Sequence, residues 1–189
     1  MKELKPAILL FIFFTILCGG IYPAVVTGIA YVVFPNQAKG SFITDKNGRP
    51  AGSSLIGQPF SSPKYFWPRP SATADFGYNP AASGGSNLGP TNLDYLKTVG
   101  DRLKALHDSG ISGSVPADLV QASASGLDPH ISPDAAKVQI ARVAKARGMS
   151  EEELNKIVST HIEDRQLGIL GEPRVNVLAL NLELDKLTP

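Results

Sequence analysis

Three histidines, a scatter of serines and one Asp-Pro-His run are the groups in this sequence that could do chemistry, and their spacing limits what that chemistry is. His107, His130 and His161 stand far apart with no His or Cys at ligand spacing beside them, so the pattern offers no metal site. Ser83, Ser86 and Ser123 carry hydroxyls of nucleophile type, but nothing around them resembles a nucleophile elbow and no base stands at recognisable spacing. No Gly-x4-Gly-Lys-Ser/Thr loop is present, which excludes nucleotide hydrolysis by that route. Asp128-Pro129-His130 reads as a turn in which Asp128 bonds local backbone and feeds the helix start at Ser132. The expectation is a chain without catalytic residues or metal ligands of its own.

Two short look-alikes fail on context. Ser83-Gly84-Gly85-Ser86-Asn87 resembles the Ser-Gly-Gly-Gln core of the transporter-ATPase signature loop, and Asp45-Lys46-Asn47-Gly48 resembles the Asp-Lys-Thr-Gly phosphorylation motif of P-type pumps with Asn in place of the required Thr. Both fall, by the topology below, on the side of the membrane away from ATP. The first belongs to a longer run, YNPAASGGSNLGPTN at residues 78–92, too rich in Pro, Asn and Tyr for a flexible linker. It reads as an ordered polar loop in which Asn79, Asn87 and Asn92 bond backbone or a partner and the glycines allow close approach. Tyr78, Asn79, Ser83, Gly84, Gly85, Ser86, Asn87 and Asn92 are candidate partner-contact residues. In the run Tyr65-Phe66-Trp67-Pro68-Arg69-Pro70 the rings are expected to fill a small core against the sheet, and the sharper reading makes Trp67 and Arg69 interface anchors.

What positions these residues is a membrane anchor and one further domain. Residues 7–34 carry no charge, longer than the roughly 20 residues needed to cross a bilayer as a helix. The stretch outlasts the apolar part of a signal peptide and lacks a small-x-small end, and Leu17 breaks the small residue expected before a lipoprotein cysteine at Cys18. Lys2 and Lys5 precede the span while the next basic residue is Lys39, which places residues 1–6 in the cytoplasm and residues 35–189 outside it. Gly20, Ala24 and Gly28 recur every four residues and predict a face that another helix can approach, and Pro23 predicts a kink eased by Gly19 and Gly20. With no Asp, Glu, Lys, Arg or His in the span, the helix offers no ion path of its own.

Of the 18 basic and 17 acidic residues, Lys2, Lys5 and Glu3 precede the span, leaving 16 of each beyond it and no basic stripe to bind nucleic acid. A single cysteine among 189 residues permits no internal disulfide. The outer domain is expected to be α+β, with a small antiparallel sheet and several helices. Residues 41–44 and 53–56 flank Asp45-Lys46-Asn47-Gly48 as a hairpin with an Asn-Gly turn. A helix capped by Thr91 or Asn92 runs to about His107 with Leu93, Leu96, Leu103 and Leu106 as its apolar stripe, and Pro116 opens a short helix ending before Gly126. Ser132 caps and Pro133 opens a helix ending at Gly148, and Ser150 with Glu153 forms a capping box for the next. The last segment, residues 173–187, partly alternates and is assigned to helix.

Taken together, one N-terminal span, Leu55-Ile56-Gly57-Gln58, Phe66-x-x-Arg69-Pro70-Ser71-Ala72, the 78–92 run, Ser125-Gly126-Leu127-Asp128-Pro129-His130-Ile131-Ser132-Pro133 and Gly171-Glu172-Pro173-Arg174-Val175-Asn176-Val177-Leu178 resemble the KdpC family, the C chains of bacterial potassium-transporting ATPases, over essentially the whole chain. The resemblance implies an accessory subunit in the inner membrane, beside a potassium-channel-like subunit, a P-type ATPase subunit and a small stabilising peptide. ATP and potassium would be handled through that complex. The family role is described in two ways, as a catalytic chaperone raising the pump subunit's affinity for ATP and as an external cap or gate over the potassium entrance. The competing class is a membrane-anchored external enzyme.

Overall fold

The computed structural model describes residues 2–187. Helix α1 (Leu4–Ile16), a π turn (Leu17–Ile21) and α2 (Tyr22–Val33) form one continuous apolar helix with no buried residue, and α3 (Pro35–Ala38) follows. Then come β1 (Phe42–Thr44), β2 (Pro50–Ser53), a 3-10 turn at Pro80–Ala82, α4 (Leu93–Asp108) and a second 3-10 turn at Ala117–Leu119. The remainder is β3 (His130–Ile131), α5 (Pro133–Lys137), α6 (Ile140–Arg147), α7 (Glu151–Thr160), β4 (Ile162–Glu163), β5 (Arg174–Asn176) and α8 (Val177–Leu187). The fold class is α+β, as expected. The chain divides into two compact units, the first ending at Phe42 and the second beginning at Ile43.

In the second unit, β5 lies between β3 and β4 in an antiparallel sheet, with Val175 opposite both Ile131 and Ile162. Val175 is fully buried, and Phe66, Val143, Leu154, Val158, Leu180 and Leu184 close the core around it. The expected caps are in place. Asn92 accepts from Asp94 N–H and Tyr95 N–H, Ser132 accepts from Ala135 N–H, and Ser150 forms a reciprocal capping box with Glu153. Gly148 ends α6 in the left-handed conformation at φ 67°.

Five expectations are corrected. The hairpin turn is longer than Asn-Gly, because Asp45 Oδ1 accepts from the N–H groups of both Asn47 and Arg49, and Gly48 alone of the turn residues has positive φ, whereas a two-residue type I′ turn needs both central residues there. The second strand therefore begins at Pro50, and residues 54–56 leave the sheet. The helix from Ser132 to Gly148 is broken after Lys137, since Gln139 N–H turns back to Ala136 O while its side-chain amide takes the carbonyl of Ala135. The short helix at Pro116 is one 3-10 turn. The 173–187 segment splits into β5 and α8, because Arg174–Asn176 finds strand partners on both sides. Finally, α4 buries Leu106 but leaves Leu93, Leu96 and Leu103 exposed, since it lies on the surface with Val99 and Leu106 turned to the core.

Candidate functional site

The span carries the first candidate face. Proline at 23 lacks an N–H and its ring would meet the carbonyl four residues before it. The helix absorbs this with the π turn, where Tyr22 N–H reaches back five residues to Leu17 O. A side chain added at Gly19, Gly20 or Gly28 would meet nothing within 4 Å, so Gly20, Ala24 and Gly28 lie on surface that this chain leaves open.

The 78–92 run divides into a braced half and an open half. Tyr78 is buried in the left-handed conformation (φ 62°), its N–H donating to Ser71 Oγ at 2.9 Å and its hydroxyl to Arg69 O at 2.5 Å. Asn79 is buried, caps the Pro80–Ala82 turn by accepting from Ala81 N–H, and receives Thr73 Oγ1 on its own N–H as acceptor. Ser83 Oγ and Gly84 N–H both donate to Ser125 O, and a Cβ on Gly85 would come within 3.0 Å of Ala124 O. Beyond this, Ser86 and Asn87 are exposed, Asn87 at φ 53°, until Asn92 caps α4.

Trp67 and Arg69 sit in the strip that leads into this loop. Trp67 is half-buried, with its backbone held by Gln139, its indole N–H donating to Ser62 O, and the Arg142 guanidinium 3.9 Å above its ring. Arg142 also donates to the carbonyls of Pro63 and Tyr65, and burial pushes it down to about 10, which leaves it charged at neutral pH. Arg69 Nη1 pairs with Asp128 Oδ2 at 3.0 Å, and Asp128 Oδ1 accepts from His130 N–H and faces His130 Nδ1 at 3.3 Å. Burial pushes Asp128 up, but the side-chain and backbone bonds from His130 and the Arg69 charge outweigh it and hold the carboxyl below its ordinary range. Burial, with Asp128 adding to it against Arg69, raises Tyr78 far above a normal phenol.

The segments quoted for the family resemblance, distant in sequence, meet here. Gly57 N–H donates to Leu127 O, Ser71 Oγ to Gly126 O, and Val177 N–H to Pro129 O, while His130 stands opposite Asn176. Gly57 is required by this meeting, since a Cβ would lie 2.3 Å from the Tyr78 ring. A polar hollow of about 730 Å³ opens beside Arg69, Asp118, Asp128 and His130, and an apolar one of about 390 Å³ lies between Trp67, Tyr78 and Leu106. Among the described residues, no three His, Cys, Asp or Glu are grouped so as to hold a metal ion.

The family model for KdpC, the c chain of K+-transporting ATPase, matches residues 4–186. The chain belongs to the KdpC family. It is 77% identical to the potassium-transporting ATPase KdpC subunit of Geotalea uraniireducens over 188 residues, which is 100% of both chains, and 77% identical to that of Geobacter sulfurreducens over 189 residues, again 100% of both. The KdpC subunit of Methylococcus capsulatus is 52% identical over 99% of both chains.

Sequence reasoning missed the KdpC-fold residues that fix the site from behind. Arg142 on α6, Asn181 on α8 and Gln139 in the break between α5 and α6 are buried polar groups in helical stretches of sequence, where a polar letter ordinarily signals a solvent face. Asp128 was legible as a turn former, but its pairing with Arg69, 59 residues away, carried no local signal.

Proposed function

We propose that this chain is a non-catalytic accessory subunit of a potassium-importing ATPase in a bacterial inner membrane. It crosses once, with residues 1–6 in the cytoplasm and the second unit outside. Its partners are the potassium-channel-like subunit, the P-type ATPase subunit and the small stabilising peptide, and it meets ATP and potassium through them. The observation that carries this reading is the apolar helix Leu4–Val33, long enough to cross a membrane and interrupted by a π turn beside its small residues, a surface suited to other membrane helices. Gly20, Ala24 and Gly28 are its contact face there. An effect on ATP affinity carried by this helix requires it to bind one pump state better than another.

A second reading, an external cap over the potassium entrance, is favoured by the exposed half of the polar loop, with Ser86 and Asn87 as contacts and Tyr78, Asn79, Ser83, Gly84, Gly85 and Asn92 holding its shape. Trp67 and Arg69 then act through that shape.

Potassium-stimulated ATP hydrolysis by the purified complex, with and without this chain and across ATP concentrations, tests both. A raised ATP requirement in an intact complex supports coupling through the span. Loss of potassium response at every ATP level in an intact complex supports the cap. Unchanged hydrolysis without the chain would overturn the accessory role altogether.

A further inference from the structure

The hairpin joining β4 to β5 ends in an apolar tip that neither the fold nor the proposed role uses. Every residue from 163 to 172 is exposed, so the hairpin projects from the second unit. Leu167, Ile169 and Leu170 are 89%, 75% and 54% exposed, and no residue from 166 to 171 is charged. The base carries two ion pairs, Arg165 with Glu172 and Arg174 with Glu163, beside one further exposed acid, Asp164.

The turn itself breaks a local rule. Ile169 N–H donates to Gln166 O, and the two residues between, Leu167 and Gly168, both have positive φ, 54° and 76°. Asn-Gly or Asp-Gly suits such a turn, and an aliphatic side chain in that conformation is uncommon. Leucine there is unfavourable for the backbone and sets the most exposed apolar side chain at the point farthest along the loop. A local rule broken without gain inside the fold is the mark of a site that acts on something outside it.

We propose that this tip inserts shallowly into the lipid surface of the membrane that anchors the chain. The inference rests on residues 4–33 lying in a bilayer and is independent of potassium transport. Residues 34–42 connect the span to the second unit and extend at most about 30 Å, so the chain itself keeps the unit within that distance of the bilayer. Three aliphatic side chains are too few to recruit a free domain, but the tether makes their insertion intramolecular, with an effective concentration set by the short connection. A stable protein interface needs about 800 Å² from each partner, far more than a projecting tip supplies, whereas the headgroup boundary accepts a narrow apolar protrusion. With Asp164 left over from the two pairs, the base has no net positive charge and predicts no gain from anionic lipid.

The test uses the full chain in phosphatidylcholine vesicles, with Cys18→Ser removing the exposed native thiol. An environment-sensitive fluorophore is placed at Ile169→Cys, and in a control at the exposed Glu152→Cys. Expected is a blue-shifted probe at 169 that shallow spin-labelled phosphatidylcholine quenches several-fold more than the control. Adding Leu167→Asn, which suits the left-handed turn but removes the apolar chain, should cut that quenching toward the control value. Equal quenching at the two positions, quenching indifferent to Leu167→Asn, or a blue shift that appears only with the other ATPase subunits and without lipid quenching would each overturn the proposal, the last in favour of a protein contact. None of these readings depends on ATP hydrolysis, so they fail separately from the transport role.

Discussion

Asn181 holds Phe66 by both of its backbone groups: Oδ1 accepts the Phe66 N–H at 2.9 Å and Nδ2 donates to the Phe66 carbonyl at 2.9 Å, across 115 residues of sequence. Gln139 does the same for Trp67, accepting its N–H at 2.7 Å and donating to its carbonyl at 3.1 Å. Two consecutive residues are thus paired as a strand would pair them, but by side-chain amides from α8 and from the break between α5 and α6. This fixes the strip that leads to Arg69 and Tyr78.

Asn181→Leu leaves the buried Phe66 N–H and carbonyl without partners, and the expected loss is about 2–4 kcal/mol of stability. Guanidinium denaturation of the full chain in detergent measures it. A loss below about 0.5 kcal/mol would show that the clamp adds nothing beyond packing.

Gly57→Ala places a methyl 2.3 Å from the Tyr78 ring and 2.9 Å from Asp128 O. Forcing that volume in should cost about 1–3 kcal/mol. Tyr78→Phe, which removes only the bond to Arg69 O, should cost about 1 kcal/mol. Because the two residues touch, a double variant should depart from additivity; strict additivity of the two losses would refute the close approach.

Asp128 has its folded pKa below the unfolded value, so the stability it contributes is fully present above the unfolded carboxylate pKa of about 3.9 and is lost as pH falls through the folded one. The melting temperature should hold near neutrality and decline through the acid range. Asp128→Asn should flatten part of that decline, and an unchanged acid slope would remove Asp128 from the account. Glu153, held low chiefly by the Ser150 N–H, adds an acid dependence of the same sign that the variant leaves in place.

Ser86→Ala and Asn87→Gly alter the open half of the loop without straining it, since glycine tolerates the φ of 53° at residue 87. Co-purification with the other subunits, or transport, should weaken while melting of the isolated chain stays unchanged. A lowered melting temperature with intact assembly would make this half a brace of its own domain.

The readable parts of the sequence were those whose causes are local. The apolar span, the caps at Asn92, Ser132 and Ser150, and the left-handed Gly148 each follow from side chains within a turn of where they act. Strand β5 was hidden in a segment with helical spacing, because what makes Arg174–Asn176 a strand is β3 and β4 on either side of it. The leucines of α4 spell a core-facing stripe, yet Leu93, Leu96 and Leu103 face outward, since periodicity reveals a face without saying what covers it. For the site, the motif segments were visible one by one, but the Arg69–Asp128 pair and the two amide clamps join residues that no window contains together.

The position of α8 also fixes a schedule. Leu180 and Leu184 are fully buried and Asn181 completes the hold on Phe66, so residues made early wait for a helix that follows all the other described elements in synthesis. Such long-range closure is slow and leaves apolar surface uncovered in the interval. The second unit therefore finishes folding after residues 4–33 have already been translated, and the apolar helix can form before the domain attached to it has taken shape.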